Sequence, residues 1–488
     1  MYSSVTSCAL VGVEPTAVQI ETVVSTGSGG FVIVGLPDTA IRESRQRVKA
    51  AIREAGFRFP GGNVVVNLSP ADLPKVGATY DLPIALSVLA AASERKLTFD
   101  AFVPVGELSL HGQVKPVRAA LGATVVARRL ARTCMMSSSS RVASAGDAPI
   151  AGVASLRDAV AVAQGRKLPD QVEQPDEVAF DGCDMRDVRG QSRARRALEV
   201  AAAGRHHLLL IGPPGAGKTM LSRCLPTILP PLDGSEQADV SLVWAAAGSD
   251  RVSSSHPPFL SLHHSCSMAA LVGGGSGLPR PGEVSRAHRG VLFLDELGEF
   301  STQALDSLRQ PIEGGSVSIV RQAGSFRFPS DVQLIAASNP CPCGYLGDRK
   351  RECGCLDGPR ARYAAKLTGP LADRFDIRVD MESLNTNSLV GTGGESSVDV
   401  QQRVIAARQR QLARGALNRD LGGNRLDDAT WTAAATSELH AAAEESSISA
   451  RGWDRVRRVA LTIADLEASE MIEGTHVKEA LELRGGLT

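Results

Sequence analysis

Residues 208–225 read LLLIGPPGAGKTMLSRCL, and this stretch decides the fold. Leu208 to Ile211 are four apolar residues, a run of buried-strand length. The run breaks into Gly212-Pro213-Pro214-Gly215-Ala216-Gly217-Lys218-Thr219, which satisfies G-x-x-x-x-G-K-[ST] in full. Helix-forming residues, Met220–Leu225, follow at once. Strand, glycine-rich turn and helix in that order are what a phosphate-binding loop needs. The glycines let backbone N–H groups wrap phosphate oxygens, and the helix N-terminus adds its positive dipole end. Lys218 is expected to reach the β- and γ-phosphates, and the Thr219 hydroxyl to ligate Mg2+.

Two further strand ends support this reading. Residues 291–296 (VLFLDE) are four apolar residues closing on two carboxylates. That pattern places Asp295 near the metal and Glu296 near an attacking water. A third apolar run, Val332–Ala337, leads into Ser338 and Asn339, where an asparagine can orient that water or sense the γ-phosphate. With His207–Ile211 and Gly290–Leu294, these runs predict a parallel sheet with helices on its faces. The residues alone predict hydrolysis of ATP.

Working outward, 488 residues at roughly 100–200 per domain suggest about three domains. Composition shifts at residues 169–182, acidic and proline-containing, and at 382–397, rich in Gly, Ser, Thr and Asn. Both read as linkers. They divide the chain into residues 1–168, a small α/β domain, 183–381, the sheet with the phosphate loop, and 398–488, rich in Ala and Arg and all helical. The 53 basic and 53 acidic residues exclude a wholesale basic nucleic-acid binder, and 4% aromatics disfavour a base-stacking groove. Nine cysteines are too sparse for a disulfide scaffold. Residues 1–9 lack a basic n-region, and apolar runs such as Leu82–Ala92 are about half the ~20 residues a membrane helix needs. A cytoplasmic protein with no membrane partner is the expectation.

At residues 212–219, 292–300 (LFLDELGEF), 336–345 (AASNPCPCGY) and 369–376 (GPLADRFD), the chain resembles the magnesium-chelatase-like AAA+ ATPases. Residues 188–191 (VRGQ), 263–265 and 273–282 resemble their ComM/YifB branch most closely. The resemblance spans nearly the whole chain. It implies an AAA+ core with a helical C-terminal lid, assembled as a homo-oligomeric ring, a hexamer, with ATP at subunit boundaries. It implies that Asn339 is a sensor and that Arg374 is an arginine finger for the neighbouring subunit. Arg451 would be a second sensor on the lid, with Arg455 as the substitute, and Val188 would line the adenine pocket. It further implies a DNA helicase promoting branch migration during uptake of transforming DNA. A protein-remodelling chaperone or adaptor, or the motor subunit of a magnesium chelatase, are the alternatives.

The first domain is similar to the Lon-protease type at residues 74–79 (PKVGAT) and 106–112 (GELSLHG). The nucleophile position falls on Thr79 and the lysine position on Leu121. Leucine cannot accept a proton, so no peptidase activity is expected. Cys341, Cys343, Cys353 and Cys355 stand as two C-x-C pairs nine residues apart, able to close around a structural Zn2+, to remain plain thiols or to serve redox chemistry. Arg280 and Arg286, in the glycine-rich stretch 273–289, and Arg321 and Arg327, in an expected hairpin at 315–329, are candidates for contacting DNA phosphates. Arg403, Arg408, Arg410, Arg414 and Arg419 read as a solvated helix face, with DNA contact as the alternative. His263 and His264, lacking a third ligand at helical spacing, read as a polar turn or a pore-facing pair.

Overall fold

The computed structural model describes residues 1–488 except 36–38, 72, 74, 76, 94–96, 143–147, 174–182, 250–253, 276–278, 322–323, 349–350, 384–392, 447–448 and 486–488. Most of the first expected linker, and the middle of the second, lie outside the described residues.

The chain begins with a long antiparallel pair, Tyr2–Val11 with Glu14–Ser25. Asn63–Ser69 joins it antiparallel, and Phe31–Val34 lies parallel at the edge. A separate three-stranded parallel sheet holds Phe102–Pro104, Thr133–Ser137 and Ile150–Val153. Asp81–Ala92 is the central helix, buried on nearly every side. A twelve-residue helix apolar at every position but Asp81 and Ser87 is stable only inside a core, and this one packs on the first sheet. Its first residue, Asp81, is fully buried. Ser44 Oγ, Arg47 Nε at 2.7 Å and Leu108 N at 3.2 Å donate to its carboxylate, which is how a buried charge is tolerated.

The phosphate-loop strand Leu208–Ile211 lies in a five-stranded, all-parallel sheet. Across the sheet the order is Phe259–Leu262, Val291–Leu294, Gln333–Ser338, Leu208–Ile211, Ile377–Asp380. The three middle strands are buried at every position. Alternation of side chains sends Leu208, Leu210, Val291, Phe293, Ile335 and Ala337 to one face, and Leu209, Ile211, Leu292, Leu294, Leu334 and Ala336 to the other. Ile211 pairs with Ser338 and Leu294 with Ala336, so the carboxyl ends of these strands lie side by side. Ligands of open parallel sheets bind at that edge.

The C-terminal helices Ser397–Ala413, Ala433–Ser446, Ala450–Leu466 and Gly474–Glu482 share one apolar core with the first of those faces. Val404, Val459 and Ile463 belong to the same cluster as Leu208 and Ile335. This sharing corrects the reading of residues 403–419 as a solvated face for Arg403, Arg408 and Arg419, which are half-buried, whereas Arg410 and Arg414 stay exposed while still pairing. Arg403 pairs with Glu199 at 2.7 Å, and Arg408 donates to Ala202 O at 2.7 Å. Arg410 donates to Asp465 O and Arg414 to Asp465 Oδ1, each at 2.8 Å. Arg419 donates to Val332 O at 3.1 Å. The run of arginines fastens the helix to its neighbours through carbonyls and carboxylates that are themselves buried or half-buried. Among the described residues, no helix is long and apolar enough to cross a membrane.

Candidate nucleotide site

Three turns meet at the carboxyl edge of the sheet. Gly212–Gly217 leaves the phosphate-loop strand and Lys218–Ile228 is the helix behind it. Gly215 and Gly217 have φ of +77° and +88°, and a Cβ on either would meet nothing within 4 Å. The loop therefore has the left-handed backbone that glycine allows, and open room in front of it. Lys218 Nζ donates to Gly212 O at 2.6 Å, Pro213 O at 3.0 Å and Asn339 Oδ1 at 3.1 Å. All three acceptors are neutral. Burial lowers the lysine to about 8, and Asp295 and Glu296 offset that only in part. A half-buried ammonium with neutral partners is suited to an anion.

Thr219 Oγ1 donates to Asp295 Oδ2 at 3.3 Å, bringing two oxygen ligands for a hard cation together beside the loop. Glu296 follows with φ +56°, an uncommon conformation for a residue with a side chain. The turn leaves its carboxylate half-exposed at the end of the strand. Triphosphate and Mg2+ thus fit the residues present. Gln191 closes the far side of the loop, its amide donating to Ala216 O at 3.2 Å and Glu382 O at 2.8 Å. Val188 is buried in the same core cluster as Ala216.

His264 was not legible as part of this site. Its Nδ1 lies 3.3 Å from Glu296 Oε2, and the His263 ring is 4.0 Å from its own. The third group missing from the histidine pair is Glu296. It comes from the neighbouring strand, since Leu262 pairs with Leu294, and a search at helical spacing cannot find it.

Arg374 and Arg451 lie together, but elsewhere. Both line a cleft with Glu313, Asp454, Arg455 and Arg458, and no residue of 212–219 lines it. Arg374 pairs with Glu313, not with the adjacent Asp373 or Asp376. Asp376 faces His206 at 3.1 Å instead. Burial, then the charges of Arg451, Arg309 and Arg455, push the Arg374 guanidinium below its usual range. Arg455 is held by Asp373 O and lies 3.7 Å from Asp376, whereas Arg451 is exposed.

Models of three protein families match in tandem. They are "Subunit ChlI of Mg-chelatase" over residues 20–140, "Magnesium chelatase, subunit ChlI" over 184–389, and "Magnesium chelatase, subunit ChlI C-terminal" over 394–484. An uncharacterized protein of Mycobacterium tuberculosis is 40% identical over 492 residues, covering 98% of this chain and 97% of its own. YifB of Salmonella typhimurium is 39% identical over 499 residues, and competence protein ComM of Haemophilus influenzae 38% over 501. Each covers 98% of this chain and 96% of its own. The chain belongs to the ComM/YifB family of magnesium-chelatase-like AAA+ proteins. Membership implies ATP and Mg2+ as ligands.

A shorter similarity, 33% over 249 residues, links this ComM/YifB chain to Lon protease 2 of Bacillus subtilis. The structure places Thr79 in a buried 3-10 turn, Ala78–Tyr80. Leu121, at the lysine position, is 9% exposed and packs with Val125 and Leu242. Leu242 lies on helix Gly234–Ala247, between the phosphate loop and the next strand of the parallel sheet. A leucine there gives the first region an apolar contact with the ATPase region. Lys75 is buried and its ammonium donates to Pro70 O, while Lys115 is exposed.

The DNA-contact candidates fall into two groups. Ser316–Arg321 and Gly324–Pro329 form the expected hairpin, its residues 322–323 lying outside the described residues. Arg321 and Arg327 are exposed on it, and Arg327 Nε donates to Ser316 Oγ at 3.0 Å. Gly273–Gly274 pairs with Arg280–Pro281 beside that hairpin, with Ile319 against Gly273 and Arg321 next to Gly274. Arg280, exposed, belongs to the same surface. Arg286 does not share that exposure, because its guanidinium lies 4.2 Å from the Trp244 ring centre and pairs with Glu283. Stacking and pairing turn it inward.

Cys341, Cys343, Cys353 and Cys355 converge, their sulfurs all within 4.8 Å of one another.

Proposed function

We propose that this protein is a Mg2+-dependent ATPase that assembles as a ring, a hexamer, moves on DNA and remodels branched intermediates of recombination or transformation. The observation that carries the ATPase is the convergence of Lys218, Thr219, Asp295, Glu296 and Asn339 at one sheet edge. Magnesium-bound ATP supplies the phosphoryl group to be transferred. Lys218 neutralises phosphate oxygens, and backbone N–H groups of residues 212–219 cradle them. Thr219 and Asp295 hold the metal. Glu296 takes the proton of the attacking water, His264 holds its carboxylate, and Asn339 orients the lysine. Arg374 and Arg451, remote from the loop of their own chain, act on nucleotide held by the adjacent subunit.

Support for DNA is twofold. The relative ComM is named a competence protein, and Arg280, Arg321 and Arg327 share one exposed surface beside the paired loops. A polypeptide-gripping loop needs exposed aromatics, but Phe326 and Phe328 of the hairpin are 5% and 0% exposed. That burial favours phosphate contact over protein remodelling. A structural zinc ion at Cys341, Cys343, Cys353 and Cys355 completes the reading.

The test is ATP turnover alone and with single-stranded or four-way-junction DNA, with Glu296→Gln as the control. Stimulation by DNA that weakens with salt is expected. Turnover that needs Glu296 yet ignores every DNA refutes the track and leaves the ATPase.

A further inference from the structure

Asn339 directly follows the strand Gln333–Ser338, and Cys341 comes two residues later. Cys341 is fully buried. Its Sγ lies 3.4 Å from that of Cys343 and 3.6 Å from that of Cys353, and Cys343 and Cys353 are 3.6 Å apart. A disulfide requires about 2.05 Å. A tetrahedral zinc with bonds of about 2.3 Å sets sulfurs about 3.8 Å apart, close to what is seen. The backbone N–H of Cys343 also donates to Cys355 Sγ at 3.3 Å. Between Asn339 and helix Asp357–Leu367, the described residues form only turns and bends, so few backbone hydrogen bonds hold the segment in place.

This segment lies against the phosphate loop at two points. Asn339 Oδ1 accepts from Lys218 Nζ at 3.1 Å. Gly344, with φ +86°, packs so closely that a Cβ on it would stand 2.7 Å from Pro214 Cδ and 2.9 Å from Pro214 Cγ. Gly344 N donates to Cys341 O at 3.0 Å, closing the turn that carries both the thiols and this contact.

We propose that the four-cysteine loop is a strut for the phosphate loop: one Zn2+ bound by its thiolates holds Gly344 on Pro214 and Asn339 on Lys218, so metal occupancy sets nucleotide affinity. The inference rests on the ATP and zinc readings above. Binding zinc displaces the thiol protons to solvent and changes no oxidation state. The strut explains why a glycine stands at position 344, since a larger residue would be strained and would collide with the proline.

The experiment uses full-length protein purified without a histidine tag, with zinc measured by mass spectrometry and Mg·ADP affinity by calorimetry. Wild type should carry about one zinc per chain. Cys343→Ser/Cys353→Ser should lose the metal and weaken Mg·ADP binding by about tenfold or more. Wild type stripped by a chelator should do the same and recover on adding Zn2+. Gly344→Ala keeps all four thiols, so it should retain zinc and still lose about tenfold in affinity. Unchanged affinity in a zinc-loaded, folded Gly344→Ala protein, or in stripped wild type, overturns the strut alone. Wild type that carries no zinc as purified, before any chelator, and still binds nucleotide overturns the zinc reading and the strut with it. Zinc-loaded wild type that binds no nucleotide overturns the ATP reading itself.

Discussion

Binding of Mg·ADP at alkaline pH should take up a proton at Lys218. Burial lowers this ammonium to about 8, its hydrogen-bond acceptors are neutral, and Asp295 and Glu296 restore little. Phosphate oxygens beside Nζ favour the charged form and return the group to the ordinary lysine range, near 10.4. From a value of about 8, the neutral fraction is about 0.1 at pH 7, about 0.5 at pH 8 and about 0.9 at pH 9. Those fractions are the protons taken up per nucleotide bound. Affinity should accordingly weaken about tenfold between pH 7 and pH 9.

The sign for stability is opposite. A lysine lowered by folding binds fewer protons than the unfolded chain between pH 8 and about 10.4. Its destabilising contribution is therefore full below pH 8 and fades as pH rises through that window. Calorimetric titration in two buffers of different ionisation enthalpy reads the uptake directly. Lys218→Arg supplies the control, because a guanidinium stays charged throughout. Uptake near zero at pH 9 in wild type, or equal uptake in Lys218→Arg, would refute the argument.

Glu296→Gln removes the proton acceptor and keeps the shape. Single-turnover phosphate release should fall by about 10²–10⁴-fold with Mg·ADP affinity nearly unchanged, and a loss under about tenfold would remove Glu296 as the base. Arg374→Ala should lower turnover by about 10³-fold or more. Mixing it with Lys218→Ala subunits should restore part of the rate, because some interfaces then pair an intact loop with an intact arginine. No recovery on mixing counts against action between subunits. Arg414→Ala leaves Asp465, 1% exposed, without its cation, and should cost about 2–4 kcal/mol in urea denaturation. A loss within about 0.5 kcal/mol would return Arg414 to the class of solvated surface charges.

The sequence by itself singled out the residues of the proposed phosphate site. Residues 212–219, Asp295 with Glu296, and Asn339 each sit where an apolar run turns into a loop, and in each case the chemistry is carried by neighbours along the chain. Strand, turn and helix are local, so their order and the groups they expose follow from a dozen contiguous residues. The four cysteines were visible for the same reason, lying within fifteen residues. The long pair Tyr2–Val11 and Glu14–Ser25 was not anticipated, although burial in Glu14–Ser25 largely alternates, because no chemical motif marks either strand.

Only the tertiary structure decided which distant groups meet. It set His264 beside Glu296, Gly344 on Pro214, Leu121 under Leu242 and Arg414 on Asp465. It also removed Arg286 from the exposed surface and buried Phe326 and Phe328. These pairs span from about thirty to more than a hundred residues, and each depends on sheet order, strand register or helix docking. A sequence states what a side chain can do. Its partner is chosen by the packing of elements, where burial leaves each charge and each close approach few alternatives.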